Sequence, residues 1–244
     1  MENKAQTEQY CMHYPYNTQV GISVSANLQS KMRIEPQSDY FASSPSWGAG
    51  LGVHLYQRIY KWFGIQIGVE YNHVGISFGG TTNPAQYFKD ISTKYYTDIF
   101  IFPILFNASY YFNGKHGLDI SLGGAPLILP HLNAPEPVGI SYSRIEGGYS
   151  EEEDYWRFAI GNYPRFNFSL YGKIGYNFLF KNKNTLGVAI VGSYATESYA
   201  QGTYSVAKKE GTKIESGHVS LRNTYVGVQF SYGFSMKKLL CNPN

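Results

Sequence analysis

Along most of the chain, apolar residues recur at every second position, the period of a strand with one apolar face. Val20, Ile22, Val24, Ala26 and Leu28 alternate with Gly21, Ser23, Ser25 and Asn27. Trp47, Ala49, Leu51, Val53 and Leu55 alternate with Gly48, Gly50, Gly52 and His54. Phe63, Ile65, Ile67, Val69 and Tyr71 alternate with Gly64, Gln66, Gly68, Glu70 and Asn72. The run from Asp98 to Phe112 starts apolar on both faces. Leu118, Ile120 and Leu122 come next, then Phe166 to Phe178, Leu186 to Ile190 and Val226 to Phe234. This pattern predicts about eight strands and no amphipathic helix.

The predicted connections alternate in length. Short turns fall at Gln57–Trp62, Asn113–His116 (with an Asn-Gly signal) and Phe180–Asn184. Long polar loops fall at Ser30–Ser46, Gly79–Tyr96, Leu129–Pro164 and Glu197–Ser216. Short periplasmic turns and long extracellular loops are the plan of an up-and-down barrel in an outer membrane. Aromatic residues gather at the expected strand ends. Tyr60, Trp62, Phe63, Tyr110, Tyr111, Phe112, Tyr176, Phe178, Phe180, Tyr232 and Phe234 form one predicted girdle. Trp47, Tyr71, Phe78, Tyr95, Tyr96 and Tyr194 form the other.

Composition sharpens this reading. Of the 244 residues only 15% are charged, against roughly 25% in soluble domains, while 17% are aromatic and 26 are Gly. The longest apolar run, Ile99 to Phe106, holds a Pro and is far short of the 18 or so residues of a membrane helix. A net charge of +3 gives no reason to expect nucleic acid. Within the predicted spans Glu70, Asp119 and Lys173 carry charge, all on the Gly/Ser/Asn side of the alternation. A Lys facing lipid at the midplane costs about 2–4 kcal/mol, so these residues are expected in the lumen. A soluble barrel would need the opposite facing. Arg58, Lys61, Lys115, Lys181, Lys183, Lys237 and Lys238 give a basic turn-side rim suited to anionic head groups.

The segment Asp98-Ile99-Phe100-Ile101-Phe102-Pro103-Ile104-Leu105-Phe106 resembles the fourth strand of the small outer-membrane barrels grouped as PorT-like or OmpX/OmpA-like, roughly Tyr-Leu-Glu-Ile-Pro-Leu-Leu-Leu-Lys. Leu122-Gly123-Gly124-Ala125-Pro126 resembles the strand after it, and Val226 to Phe234 the closing strand. The chain has Ile101 and Asn107 where that family often has Glu and Lys, and it continues past Phe234. The resemblance implies an eight-stranded antiparallel transmembrane β-barrel over residues 18–235, between periplasmic segments at 1–17 and 236–244. It also implies an outer-membrane address, with a signal peptide removed from this numbering.

An eight-stranded barrel has an interior that side chains can fill. Gln66, Glu70, Asn107, Asn167, Tyr171, Lys173 and Gln229 are expected to form a packed polar network, with an ion pair or shared contacts between Glu70 and Lys173. A narrow polar conduit is the functional alternative. Cys11 and Cys241 lie near the two termini on the oxidising side, where a disulfide is expected; a mixed disulfide or free thiols are the alternatives. The aromatic loop Leu129–Pro164 is expected to fold as a lid or contact surface, with Glu151, Glu152, Glu153, Asp154, Tyr155 and Trp156 as contact candidates. His131, Ser141 and Asp154 share that loop without nucleophile spacing, so no enzyme is expected. The six His residues lie far apart, and neither metal nor cofactor is expected. The favoured function is a structural or interaction component of the envelope, in contact with outer-membrane lipid, lipopolysaccharide and other envelope proteins. A small porin-like or apolar-ligand transport barrel is the alternative.

Overall fold

In hydrocarbon every backbone N–H and C=O needs a partner within the protein, so strands cross a membrane only as a closed ring. The computed structural model describes residues 18–60, 62–80, 93–112, 114–129, 138–146, 149–162, 166–208 and 213–236, with the backbone alone at 80, 93, 95, 138–146, 149–162, 207–208 and 213–214. In chain order its strands are β1 (Thr18–Gln29), β2 (Arg33–Glu35), β3 (Phe41–Ser44), β4 (Ser46–Tyr60) and β5 (Phe63–Gly80). Then come β6 (Thr93–Ile101), β7 (Ile104–Phe112), β8 (His116–Ile128), β9 (Val138–Glu146) and β10 (Tyr149–Asn162). The last are β11 (Phe166–Leu179), β12 (Thr185–Ala195), β13 (Ala200–Lys208), β14 (Lys213–Leu221) and β15 (Tyr225–Met236).

The ring runs β1, β4, β5, β6 with β7, β8, β11, β12 and β15, then closes antiparallel on β1. β6 and β7 are one wall strand interrupted at Phe102–Pro103, because Pro103 has no N–H for the ladder. Pairing resumes in unchanged register, since Glu70 faces Ile101 and Ile67 faces Ile104. The gap is bridged by Phe102 N–H to Pro126 O at 2.8 Å and Gly68 N–H to Pro103 O at 3.0 Å. At the β7–β8 turn Gly114 takes φ 65°, the left-handed region that favours glycine.

Following partners around the wall gives the stagger. From Phe63 the ladder passes through Ala108, Ile120, Ile174, Ile190, Val228, Ala26 and Ala49, and returns to β5 at His73, ten residues along. Ten residues at about 3.3 Å, tilted about 40°, rise roughly 25 Å, the height of a membrane barrel's apolar band. Every residue on that path before His73 is apolar and on the outer face. Ile67 is 46% exposed, Val188 41%, Phe230 56% and Ile190 64%, whereas Glu70 is 8% exposed inside. The fold is an eight-stranded antiparallel transmembrane β-barrel.

Tyr60, Trp62 and Tyr110 ring the outside at the turn end; Trp47, Tyr96 and Tyr194 do so at the loop end. There Asp98, on the outer face, accepts Tyr71 OH at 2.7 Å and lies 2.8 Å from His73 Nδ1, so its carboxylate at the edge of the band has two polar partners. Two expected positions are corrected. Phe78 is buried rather than in the girdle, because β5 continues beyond the band, where β3 and Phe41 cover it, with ring centroids 5.8 Å apart. Arg58 is buried in the lumen rather than on the basic rim, because it shares the inward phase of His54 and Tyr56 on β4.

The long connections are a further correction, for they are not simple loops. They supply a second sheet in the order β2-β14-β13-β10-β9. The expected contact residues Glu151 to Trp156 lie in β10, between β9 and β13. Cys11, Cys241, Lys61, His131, Lys237 and Lys238 lie outside the described residues. One face of this sheet, with Tyr204, Val206, Val219 and Leu221, joins Ile99, Ile101, Leu127 and Val191 of the barrel in a continuous apolar cluster. Phe41 stacks on Tyr204 at 4.8 Å between them. The sheet is a cap whose apolar side sits on the barrel mouth. Ile190→Lys, halfway up the wall, is expected to lose about 2–4 kcal/mol in equilibrium urea unfolding from phospholipid vesicles; an unchanged midpoint would take Ile190 out of the lipid.

Candidate functional site in the lumen

Alternation sends the second set of side chains of each strand inward, and the lumen they fill changes character with height. In the turn-end half it is polar. Glu70 on β5 accepts the hydroxyl of Tyr171 from β11, at 3.0 and 3.2 Å to its two oxygens, and Gln229 Nε2 from β15 at 3.3 Å. Lys173, one inward position nearer the turns on β11, donates to Gln66 Oε1 at 2.6 Å. Glu70 and Lys173 therefore have different direct partners. Glu70 and Lys173 do not themselves come within ion-pair distance. The cause is stagger: Tyr171 stands level with Glu70, and Lys173 with Gln66. Lys173 remains within electrostatic reach of both Glu70 and Asp119.

Five of the sequence-proposed residues, Gln66, Glu70, Tyr171, Lys173 and Gln229, thus converge. Asn107 belongs to an adjoining patch, donating to Ser121 Oγ at 2.8 Å and accepting Ser109 Oγ at 2.6 Å. Asn167 stands apart at the loop-end rim, where its amide donates to Glu197 O at 3.1 Å. It is level with Leu127, inside the apolar zone. Sequence reasoning missed Asn177 on β11, which donates to Asp119, and the Asn27 to Asn72 bond of 3.0 Å. It also missed His54, Tyr56 and Arg58. All lie in the inward phase of their strands, so extending that phase to the strand ends would have found them.

Above this layer apolar side chains enter the lumen beside the buried Asn27, Asn72 and Asn167. Ile99 and Ile101 are 0% exposed, and Leu105, Leu127 and Val191 are buried with them beneath the cap. This accounts for the segment that starts apolar on both faces: one face meets lipid and the other the apolar zone. The polar layer leaves a cavity of about 40 Å³ beside His54, Asp119, Lys173 and Asn177. That holds a little water but lies far below the roughly 300 Å³ of a small-molecule pocket. Among the described residues no group of three His, Cys, Asp or Glu side chains is placed to hold a metal ion. These side chains pack the turn-end half of the lumen around one another.

No known protein family matches the sequence, and no curated protein matches it. Similar solved structures are outer-membrane proteins. The crystal structure of OprG from Pseudomonas aeruginosa is 9% identical, with TM-score 0.48, covering 91% of this chain and 97% of that one. The solid-state NMR structure of AlkL in lipid bilayers is 10% identical, with TM-score 0.43, covering 93% and 94%. A deltaS2 mutant of TodX, a monoaromatic hydrocarbon channel, is 10% identical, with TM-score 0.39, covering 92% and 59%.

Tyr171→Phe leaves the buried Glu70 carboxylate one donor short, and such a loss costs about 1–3 kcal/mol. The expected result is that drop in the unfolding free energy measured by tryptophan fluorescence in vesicles, with Tyr110→Phe on the outer girdle closer to neutral.

Proposed function

We propose that this chain is an outer-membrane β-barrel that works as a structural or interaction component of the cell envelope, with its capped loop end as the contact surface. The observation that carries this reading is the filled lumen: a bonded polar layer around Glu70 and, above it, an apolar cluster shared with the cap. A passive pore keeps a continuous wet path, whereas the cavity between the described polar residues of the lumen measures about 40 Å³. The outer face suits bilayer lipid, and the polar side of the cap suits lipopolysaccharide or another envelope protein. The reading assigns no cofactor, catalytic role or nucleic-acid partner. Membership of the PorT-like or OmpX/OmpA-like barrels, and a signal peptide directing the chain outward, belong to the same proposal.

Transport of a small apolar ligand is the second reading. It is favoured by the apolar cluster in the lumen, where Ile99, Ile101, Leu127 and Val191 would accept such a molecule. Planar-bilayer recording with solute-uptake assays in proteoliposomes separates the two. The expected result is electrical silence, no accelerated uptake of toluene-sized solutes, and a stoichiometric partner when the barrel is extracted from its native membrane. Steady openings or saturable uptake would replace the interaction reading with transport.

A further inference from the structure

The face of the cap turned away from the barrel carries a polar groove of about 290 Å³ that the lumen chemistry does not use. Strand register builds it. Ser220 on β14 faces Arg33 on β2 on one side and Gln201 on β13 on the other. In the next row His218 faces Glu35. The alternate residues Val219 and Leu221 point into the apolar cluster, so the same alternation that seals the barrel puts these polar groups outside. Arg222 and Ser198 close the end of the groove nearest the barrel.

The groove has a direction. Arg33 is tied to Glu35 at one end. At the other, the guanidinium of Arg222 has no hydrogen bond or ion pair to any described residue, and its Nε is buried without a partner. Its backbone carbonyl is held by Gln29 Nε2 at 2.8 Å, so the residue is anchored while its charge has no partner among the described residues. A free planar guanidinium in a cleft suits a carboxylate or phosphate, which it can grip with two parallel bonds. Next to it, Gln201 and Ser220 both donate and accept, Arg33 donates and Glu35 accepts. That mixture matches sugar hydroxyls, each of which donates and accepts at once. An apolar peptide would find no outward apolar side chain among these lining residues, and a nucleic-acid backbone would bring a further phosphate against Glu35.

We infer that this groove binds an acidic saccharide, its phosphate or carboxylate on Arg222 and its hydroxyls on Gln201, Ser220 and the Arg33–Glu35 pair. The inference rests on the reading of the loop end as a contact surface and names the chemistry it contacts. Gly217 lets β2 approach: a Cβ there would lie 2.5 Å from Glu35 O and 2.7 Å from the Tyr204 ring.

The test is ligand-observed NMR titration of the folded barrel in detergent micelles with glucose 6-phosphate, glucuronate, glucose and inorganic phosphate. Both acidic sugars are expected to bind at least tenfold more tightly than glucose or phosphate alone. Arg222→Gln is expected to weaken them at least tenfold, whereas Lys181→Gln at the turn end leaves them unchanged. Gly217→Val, which displaces β2 but keeps Arg222, is expected to reduce glucose 6-phosphate to the affinity of phosphate. Each variant is first checked for the wild-type shift between folded and heated forms on a gel. Repeating the titration in vesicles containing lipopolysaccharide identifies the source: competition marks a phosphosugar of the same membrane, and undiminished binding marks a soluble glycan. Equal binding of glucose and glucose 6-phosphate, equal binding of phosphate and glucose 6-phosphate, or full affinity in Arg222→Gln would overturn the inference. Loss of sugar binding in a barrel that still co-purifies with a partner sinks this inference alone, while an open channel with intact sugar binding sinks only the reading beneath it.

Discussion

Closure of the hydrogen-bond ladder on itself is the constraint from which the rest follows. A strand edge left open in hydrocarbon costs several kcal/mol for each unsatisfied group, so β15 must find β1 along the whole wall. They do so over twelve consecutive pairs, from Thr18–Met236 to Gln29–Tyr225. Once strand number and stagger are set, so is the width of the lumen. Strict alternation then separates two populations of side chains, one bathed in lipid and one confined with its own kind. A single inserted residue in any wall strand would exchange the two. The interruption at Pro103 is tolerated because it removes one donor without altering the register on either side.

Confinement explains the chemistry of the interior. Glu70, Asp119, Lys173 and Arg58 bring both signs of charge into a space with little water, where each needs partners close at hand. Neutral groups provide many of them: Tyr171 and Gln229 for Glu70, Gln66 for Lys173 and Asn177 for Asp119. Towards the loop end apolar side chains join the buried polar ones, and that packing needs a lid to keep water out. The cap supplies it with Tyr204, Val206, Val219 and Leu221.

The wall was legible in the sequence because long alternating runs leave little freedom: β1, β4, β5 and β15 were readable strands, and the inward phase of Glu70 and Lys173 followed. The partners of those charges were not legible. Whether Lys173 meets Glu70 or Gln66 depends on the stagger between β5 and β11, a property of closure rather than of either strand. The cap was missed for a different reason. β2 is only three residues long, and the alternation in β13 and β14 is too brief to stand out from Ser- and Gly-rich connections. Phe78 shows the same limit. An aromatic residue near a strand end reads as a lipid-interface belt until something outside the membrane is known to cover it.

The cap's strands are drawn from three separate connections: β2 from between β1 and β4, β9 and β10 from between β8 and β11, and β13 and β14 from between β12 and β15. Small barrels serve well as display scaffolds when each outer loop can be lengthened or replaced by itself. Here the three connections share one sheet, so a peptide grafted into any of them is spliced into a common architecture. Variation at this end of the molecule is a collective property, in which a change to one connection has to be matched by the two that lie against it.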